Sequence, residues 1–126
     1  VRYLHVVNLC GRQRMLSQRL AKQALLAGLL PGPQAASQVG AALQTVREFE
    51  AALVALEQAP LGTEEIRAGL AAARGQWQRL MQALRHAEGP DRLVTQAALG
   101  RESEALLHSF NQLTSQFEHS MQLLLG

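Results

Sequence analysis

The sequence predicts an all-α fold, an up-down-up-down antiparallel four-helix bundle spanning residues 1–126 as one domain. Three observations carry this. Leu, Ala and Gln dominate the chain, β-branched residues are scarce, and only 4% of residues are aromatic against 48% hydrophobic. Ala and straight-chain side chains lose little entropy in a helix, so this bias favours helices. Three breaks, Pro31-Gly32-Pro33, Pro60-Leu61-Gly62-Thr63 and Gly89-Pro90-Asp91, divide the chain into four pieces. Proline cannot continue a helix, because it lacks the amide donor and clashes with the preceding turn. Finally, apolar residues recur within the pieces at steps of three and four.

In the first piece, a helical wheel with Leu9 at its origin puts Leu9, Leu16, Leu20 and Ala27 on one stripe. Val7, Leu25 and Leu29 fall opposite, with Leu4, Met15 and Leu26 beside them. Apolar residues on two sides fit either a central helix of the bundle or a helix that faces the core on one side and a second subunit on the other. The second piece repeats at Val39, Leu43, Val46, Phe49, Leu53 and Leu56, and the third at Ile66, Leu70, Trp77, Leu80, Met81 and Leu84. Thr63 is placed to cap the third helix, with Glu64 and Glu65 suited to its first turn. Trp77 is expected in the core rather than stacked on a ligand. The fourth piece repeats at Leu99, Leu106, Phe110, Leu113, Phe117, Met121 and Leu124. Asp91–Ala98 reads as a separate short helix or turn, since Gly100 weakens continuity there. Four such helices return both chain ends to one end of the bundle, a geometry that suits insertion between two membrane spans.

The net charge of +2 is unevenly spread. Residues 1–46 hold Arg2, Arg12, Arg14, Arg19 and Lys22 and no acid; Glu48 is the first carboxylate. Such a stretch suggests an anionic partner or a biased surface with none. Nucleic acid is disfavoured, because only Tyr3 could stack on a base and no binding motif is present. A small anion needs fewer charges. Cys10 is the only cysteine, so no internal disulfide can form. No run of about 20 apolar residues spans a membrane, and no signal peptide is visible. The chain begins with Val and runs straight into helical pattern, as expected of a fragment of a longer protein.

Gly11, Arg14 and Gln18 share the outer side of the first helix with Val7 and Leu25. A mid-helix glycine costs about 1 kcal/mol relative to alanine and is tolerated where a backbone or ligand must approach closely. In a two-fold dimer this stripe would face itself, and two Arg14 side chains would repel unless an anion lay between them. Arginine's planar fork matches a planar oxyanion. An exposed, merely solvated Arg14 is the plainer alternative. Arg12 and Arg19 lie on another face and could reach the same anion only through bending or long reach; solvation, or pairing with acids on neighbouring helices such as Glu48, Glu50 or Glu118, is expected. His5, His86, His108 and His119 include no pair three or four apart. His108 and His119 share a face but stand about 16 Å apart by helical rise, so no metal site is expected. No haem attachment, phosphate loop or nucleophile motif occurs, and Glu104 and His108 miss the spacing of a di-iron bundle. Neither an enzyme nor a cofactor is expected.

The run Asn8-Leu9-Cys10-Gly11-Arg12-Gln13-Arg14-Met15-Leu16-Ser17-Gln18-Arg19 resembles the signature of the PilJ-type sensor domain, the N-terminal part of type IV pili methyl-accepting chemotaxis transducers. It is also similar to the P-box of the nitrate/nitrite sensor kinases NarX and NarQ, a Gly, an Arg three on, a Met, then a Ser and a further Arg. Gly11, Arg14, Met15, Ser17 and Arg19 match that pattern, and Asn8 and Arg12 complete the signature here. Cys10 departs from it, since the family usually has a small residue there. The resemblance implies a periplasmic domain between two transmembrane helices of an inner-membrane receptor, dimerised through the first helix. It implies one nitrate or nitrite on the dimer axis, held by Arg14 of both subunits and backbone near Gly11, with Arg19 in a structural or signalling role. The alternative is a bundle used only for dimerisation or protein contact, without a small-molecule ligand.

Overall fold

The computed structural model describes residues 2–30, 32–59, 63–85 and 92–125, with the side chains of residues 2–3, 92–96 and 124–125 outside that description. Pro31, Pro60 to Gly62 and His86 to Asp91, which carry most of the three breaks, therefore lie outside it, as do the side chains of Tyr3 and Leu124. Four helices follow in order: α1 (Arg2–Leu29), α2 (Gly32–Glu57), α3 (Glu64–Arg85) and α4 (Arg92–Leu125). α4 is continuous from Arg92, so Arg92 to Ala98 form its first turns rather than a separate short helix or turn, and Gly100 is absorbed without a break; Asp91 lies outside the described residues. Gly32 opens α2 at φ +40°, a left-handed conformation that glycine adopts without penalty. Pro33 follows in the first turn, where a missing amide proton costs nothing.

Thr63 caps α3 as its sequence suggests. The Ile66 amide donates to its Oγ1 at 3.1 Å, and the Arg67 amide to its carbonyl at 2.9 Å. Glu64 and Glu65 occupy the positive end of that helix and Arg85 the negative end.

Each helix runs antiparallel to the next. Gln13 and Arg19 of α1 reach Phe49 and Thr45 of α2 respectively, while Arg79 and Gln76 of α3 reach Glu102 and Ser109 of α4. α1 packs against both α2 and α4, and α3 against α4. The α2 and α3 backbones approach closely at few places. Side chains fill that wider seam: Trp77 stacks on Phe49 at 4.0 Å between ring centroids, and Phe49 meets Phe110 edge-on at 5.5 Å. The Trp77 indole donates to Glu50 Oε2 at 2.7 Å, so Trp77 is a core residue with its polar edge satisfied. Arg74 completes the seam by bonding both Glu57 and Glu50, and these two carboxylates, Glu57 foremost, hold its proton more tightly than usual. On the α3–α4 side the helices meet so closely at Gly69 that a Cβ there would lie 2.8 Å from Leu113 Cδ2.

Most of the apolar periods describe the core. Ile66, Leu70, Trp77 and Leu80 are buried, as are Leu99, Leu106, Phe110, Leu113 and Phe117, with Met81, Leu84 and Val46 packed at the margin. The first half of α2 departs from its pattern. Val39 and Leu43 are exposed; Ala42 packs at the core's margin, and the fully buried residues of α2 begin at Thr45.

Candidate functional site

α1 sits at a corner of the bundle, between α2 and α4, so its two-sided apolar pattern does not come from a central position. Its buried face holds Leu16 and Leu20, as the wheel places them, but also Val6, Cys10, Gln13 and Ser17. Leu9 is half-buried at the edge of that face. The buried stripe is thus rotated toward the polar and small residues of the signature. Leu4, Met15, Leu25 and Leu29 are exposed.

Each of the buried polar residues has a local reason. Gln13 Nε2 donates to the Phe49 carbonyl of α2 at 3.0 Å, while its Oε1 has no partner. The Ser17 hydroxyl donates back to the Arg14 carbonyl at 2.8 Å. The Cys10 thiol is fully buried, and burial pushes its pKa up to about 12, against opposing pulls from Thr114 and the Arg14 charge. Such a thiol is a packing group rather than a nucleophile.

The arginines of the signature divide sharply. Arg12 and Arg19 both turn to Glu48 of α2, Arg12 at 3.7 Å. Arg19 also donates through Nε to Thr45 Oγ1 at 3.2 Å, and the Thr45 hydroxyl in turn lies 2.7 Å from Gln23 Oε1. This network ties α1 to α2. Of the acids expected as partners, Glu48 is used for these two arginines; Glu50 serves Arg74 and Trp77 instead. Arg14 points the other way, toward α4, and has no carboxylate partner among the described residues. Its Nη1 donates to the neutral amide oxygen of Asn111 at 3.2 Å.

Gly11, Arg14 and Gln18, set apart by the wheel, do come together. With Met15 of α1 and Leu107 and Asn111 of α4 they line a shallow, mainly polar concavity of about 250 Å³. Nothing approaches within 4 Å of the place a Gly11 Cβ would take, so the surface over that glycine is open. Asn8 is exposed at the edge of the signature, away from this concavity. Leu107 and Asn111 belong to no motif. They enter the site through the antiparallel register of α1 and α4, which sets Arg14 opposite Asn111 and Gln18 opposite Leu107.

The histidines whose side chains are described on α4, His108 and His119, are exposed, and no group of three or more potential metal ligands occurs among the described residues. No described helix is long and apolar enough to cross a membrane.

The fold and the signature face define a four-helix module with an arginine-bearing concavity on its first helix. The family model for the type IV pili methyl-accepting chemotaxis transducer N-terminal domain, PilJ, matches residues 4–102. The chain belongs to that family. The match includes the whole signature segment but stops short of Leu107 and Asn111. No curated protein and no solved structure matches the chain.

Proposed function

We propose that this chain is the periplasmic sensor domain of an inner-membrane receptor, and that it binds a small inorganic oxyanion, nitrate or nitrite, between two copies of α1. It performs no catalysis; its output is a change in dimer geometry passed to the helix ends nearest the membrane. The observation that carries this reading is the separation of the signature arginines. Arg12 and Arg19 share the Glu48 carboxylate, whereas Arg14 stands next to the open surface of Gly11 and an amide rather than an acid.

The chemistry follows from that arrangement. No carboxylate lines the concavity, so a guanidinium fork and the Asn111 amide group are both free to donate to planar oxygens. One concavity is too shallow to surround an ion. A second copy related by a two-fold axis would bring a second Arg14, and the anion would offset the repulsion between them. The exposed Leu4, Met15, Leu25 and Leu29 on the same helix supply apolar area for that contact. Binding that differs in strength between two dimer arrangements shifts their populations, and this is the signal.

Calorimetric titration with nitrate, nitrite and sulfate, with sedimentation in parallel, tests the reading. Nitrate or nitrite should bind selectively and increase the dimer fraction. Arg14→Ala should abolish both effects and melt like the parent protein. Equal binding by the variant, or no response to any of the three anions, would leave the alternative of a purely interacting bundle.

A further inference from the structure

Beside the Arg14 concavity, and sharing Gln18 and Leu107 with it, lies a second and larger groove between α1 and α4, of about 490 Å³. That volume falls within the range of small-molecule sites, about 300–1,000 Å³. Its floor is made of small and apolar residues, among them Ala21, Ala97, Gly100 and Leu107. Small residues alone would be a packing feature. Ser103 makes it more than that. It lines the groove and is only 7% exposed, and its Oγ is buried with no hydrogen-bond partner.

A helical serine normally satisfies its hydroxyl on the carbonyl three or four residues back. Ser17, Thr114 and Ser115 do so in this molecule, and the Thr45 and Ser109 hydroxyls find the amide oxygens of Gln23 and Gln76. Ser103 does not, and leaving a buried hydroxyl unmet is destabilising. Two charged side chains, Arg101 and Glu104, line the same groove, and neither takes part in an ion pair among the described residues. One cation, one anion and apolar side chains line a single hollow, and an unsatisfied hydroxyl is buried in its wall.

We propose that this groove binds a small aliphatic zwitterion, with Arg101 taking its carboxylate, Glu104 its ammonium group, and the Ser103 side chain rotating to offer its unmet hydroxyl to the head. The aliphatic part lies on Ala21, Ala97 and Leu107. A simple anion would meet Glu104 and a simple cation would meet Arg101, so only a ligand bearing both charges satisfies both ends. This site is independent of the oxyanion reading, since Arg14 does not line it.

The test uses L-leucine as the probe, with 3-methylbutanoate and 3-methylbutylamine as versions that lack one charge. Binding is followed by calorimetry and melting temperature on the 126-residue chain. L-Leucine should bind and raise the melting temperature, and each one-charge probe should bind about tenfold more weakly or worse, the loss of one charge-assisted hydrogen bond. Arg101→Ala and Glu104→Gln should each produce a similar loss while leaving the nitrate response intact. Gly100→Leu fills the groove. A Cβ at that position meets nothing within 4 Å, and leucine is the better helix former, so the variant should melt no lower than the parent yet fail to bind. Absence of L-leucine binding, equal binding of the one-charge probes, or undiminished binding by either the Gly100→Leu protein or the charge variants would overturn the proposal.

Discussion

The guanidinium of Arg14 donates to the amide oxygen of Asn111 at 3.2 Å, across the seam between the first and last helices. The bond holds the arginine in place without cancelling its charge. Asn111→Asp should reverse that balance. The new carboxylate would pair with the guanidinium and repel an incoming oxyanion. An exposed pair of this kind contributes about 0.2–1 kcal/mol, so the melting temperature without ligand should rise slightly or stay level. The nitrate-dependent shift in melting temperature should disappear. A variant that still responds to nitrate would show that Arg14 is not the anion's anchor.

Gly11 separates the needs of one chain from those of a pair. Within one chain its missing Cβ relieves no contact. Gly11→Ala should therefore raise the unfolding free energy by about 0.5–1 kcal/mol, the helix-propensity difference. If a second α1 packs over this position, the same change should weaken dimerisation in sedimentation experiments. A variant that is stabilised and still dimerises as the parent does would place the dimer contact elsewhere.

Cys10 gives a pH dependence with a definite sign. Its thiol, ordinarily near 9.0, is pushed up to about 12 by burial. Between those two values the folded chain keeps a proton that the unfolded chain has released, so stability falls as pH rises from about 9 toward 12. Below pH 9 both states are protonated and the contribution is flat. The loss in that window approaches about 1.4 kcal/mol per pH unit. Comparing pH-dependent urea midpoints of the parent and Cys10→Ala isolates the thiol, because only the parent should carry this extra slope. Alkylation by iodoacetamide at pH 8 should likewise track unfolding. Rapid modification of the folded protein would contradict the buried, protonated thiol.

The fold was legible because its signals are local. Proline breaks, three-four periods and the Thr63 cap each depend on a few neighbouring residues, and within its described residues the structure keeps the Thr63 cap and the periods other than the start of the second. The site was half legible. The wheel placed Gly11, Arg14 and Gln18 together and sent Arg12 and Arg19 away, because angular position on one helix follows from sequence alone. Asn111 and Leu107 could not be found that way. They depend on how far α4 is shifted along α1, which is a matter of tertiary packing rather than of any local pattern. The same limit explains Val39 and Leu43. Their spacing matches a buried face, but burial needs an opposing helix, and the start of α2 has none over that side. Polar residues at core positions, Gln13 and Ser17 above all, were missed because hydropathy assigns them outward.

Gln13 offers the clearest test of what such a residue costs. It is fully buried, its Nε2 donates to the Phe49 carbonyl at 3.0 Å, and its Oε1 has no partner. The Phe49 carbonyl lies within α2, where the backbone ladder supplies it with the amide of Leu53. Removing the glutamine amide therefore orphans nothing on α2, and it removes a buried acceptor whose burial costs about 1–3 kcal/mol against roughly 1 kcal/mol for the bond lost. Gln13→Met keeps the length and most of the volume of the side chain. It should raise the unfolding free energy by about 1 kcal/mol, read as a higher urea midpoint at unchanged slope. A loss of stability instead would mean that the Gln13–Phe49 bond does more than fill space. It would then be the contact that fixes how α1 and α2 sit along each other, and the polar signature would be holding the bundle's register as well as presenting Arg14.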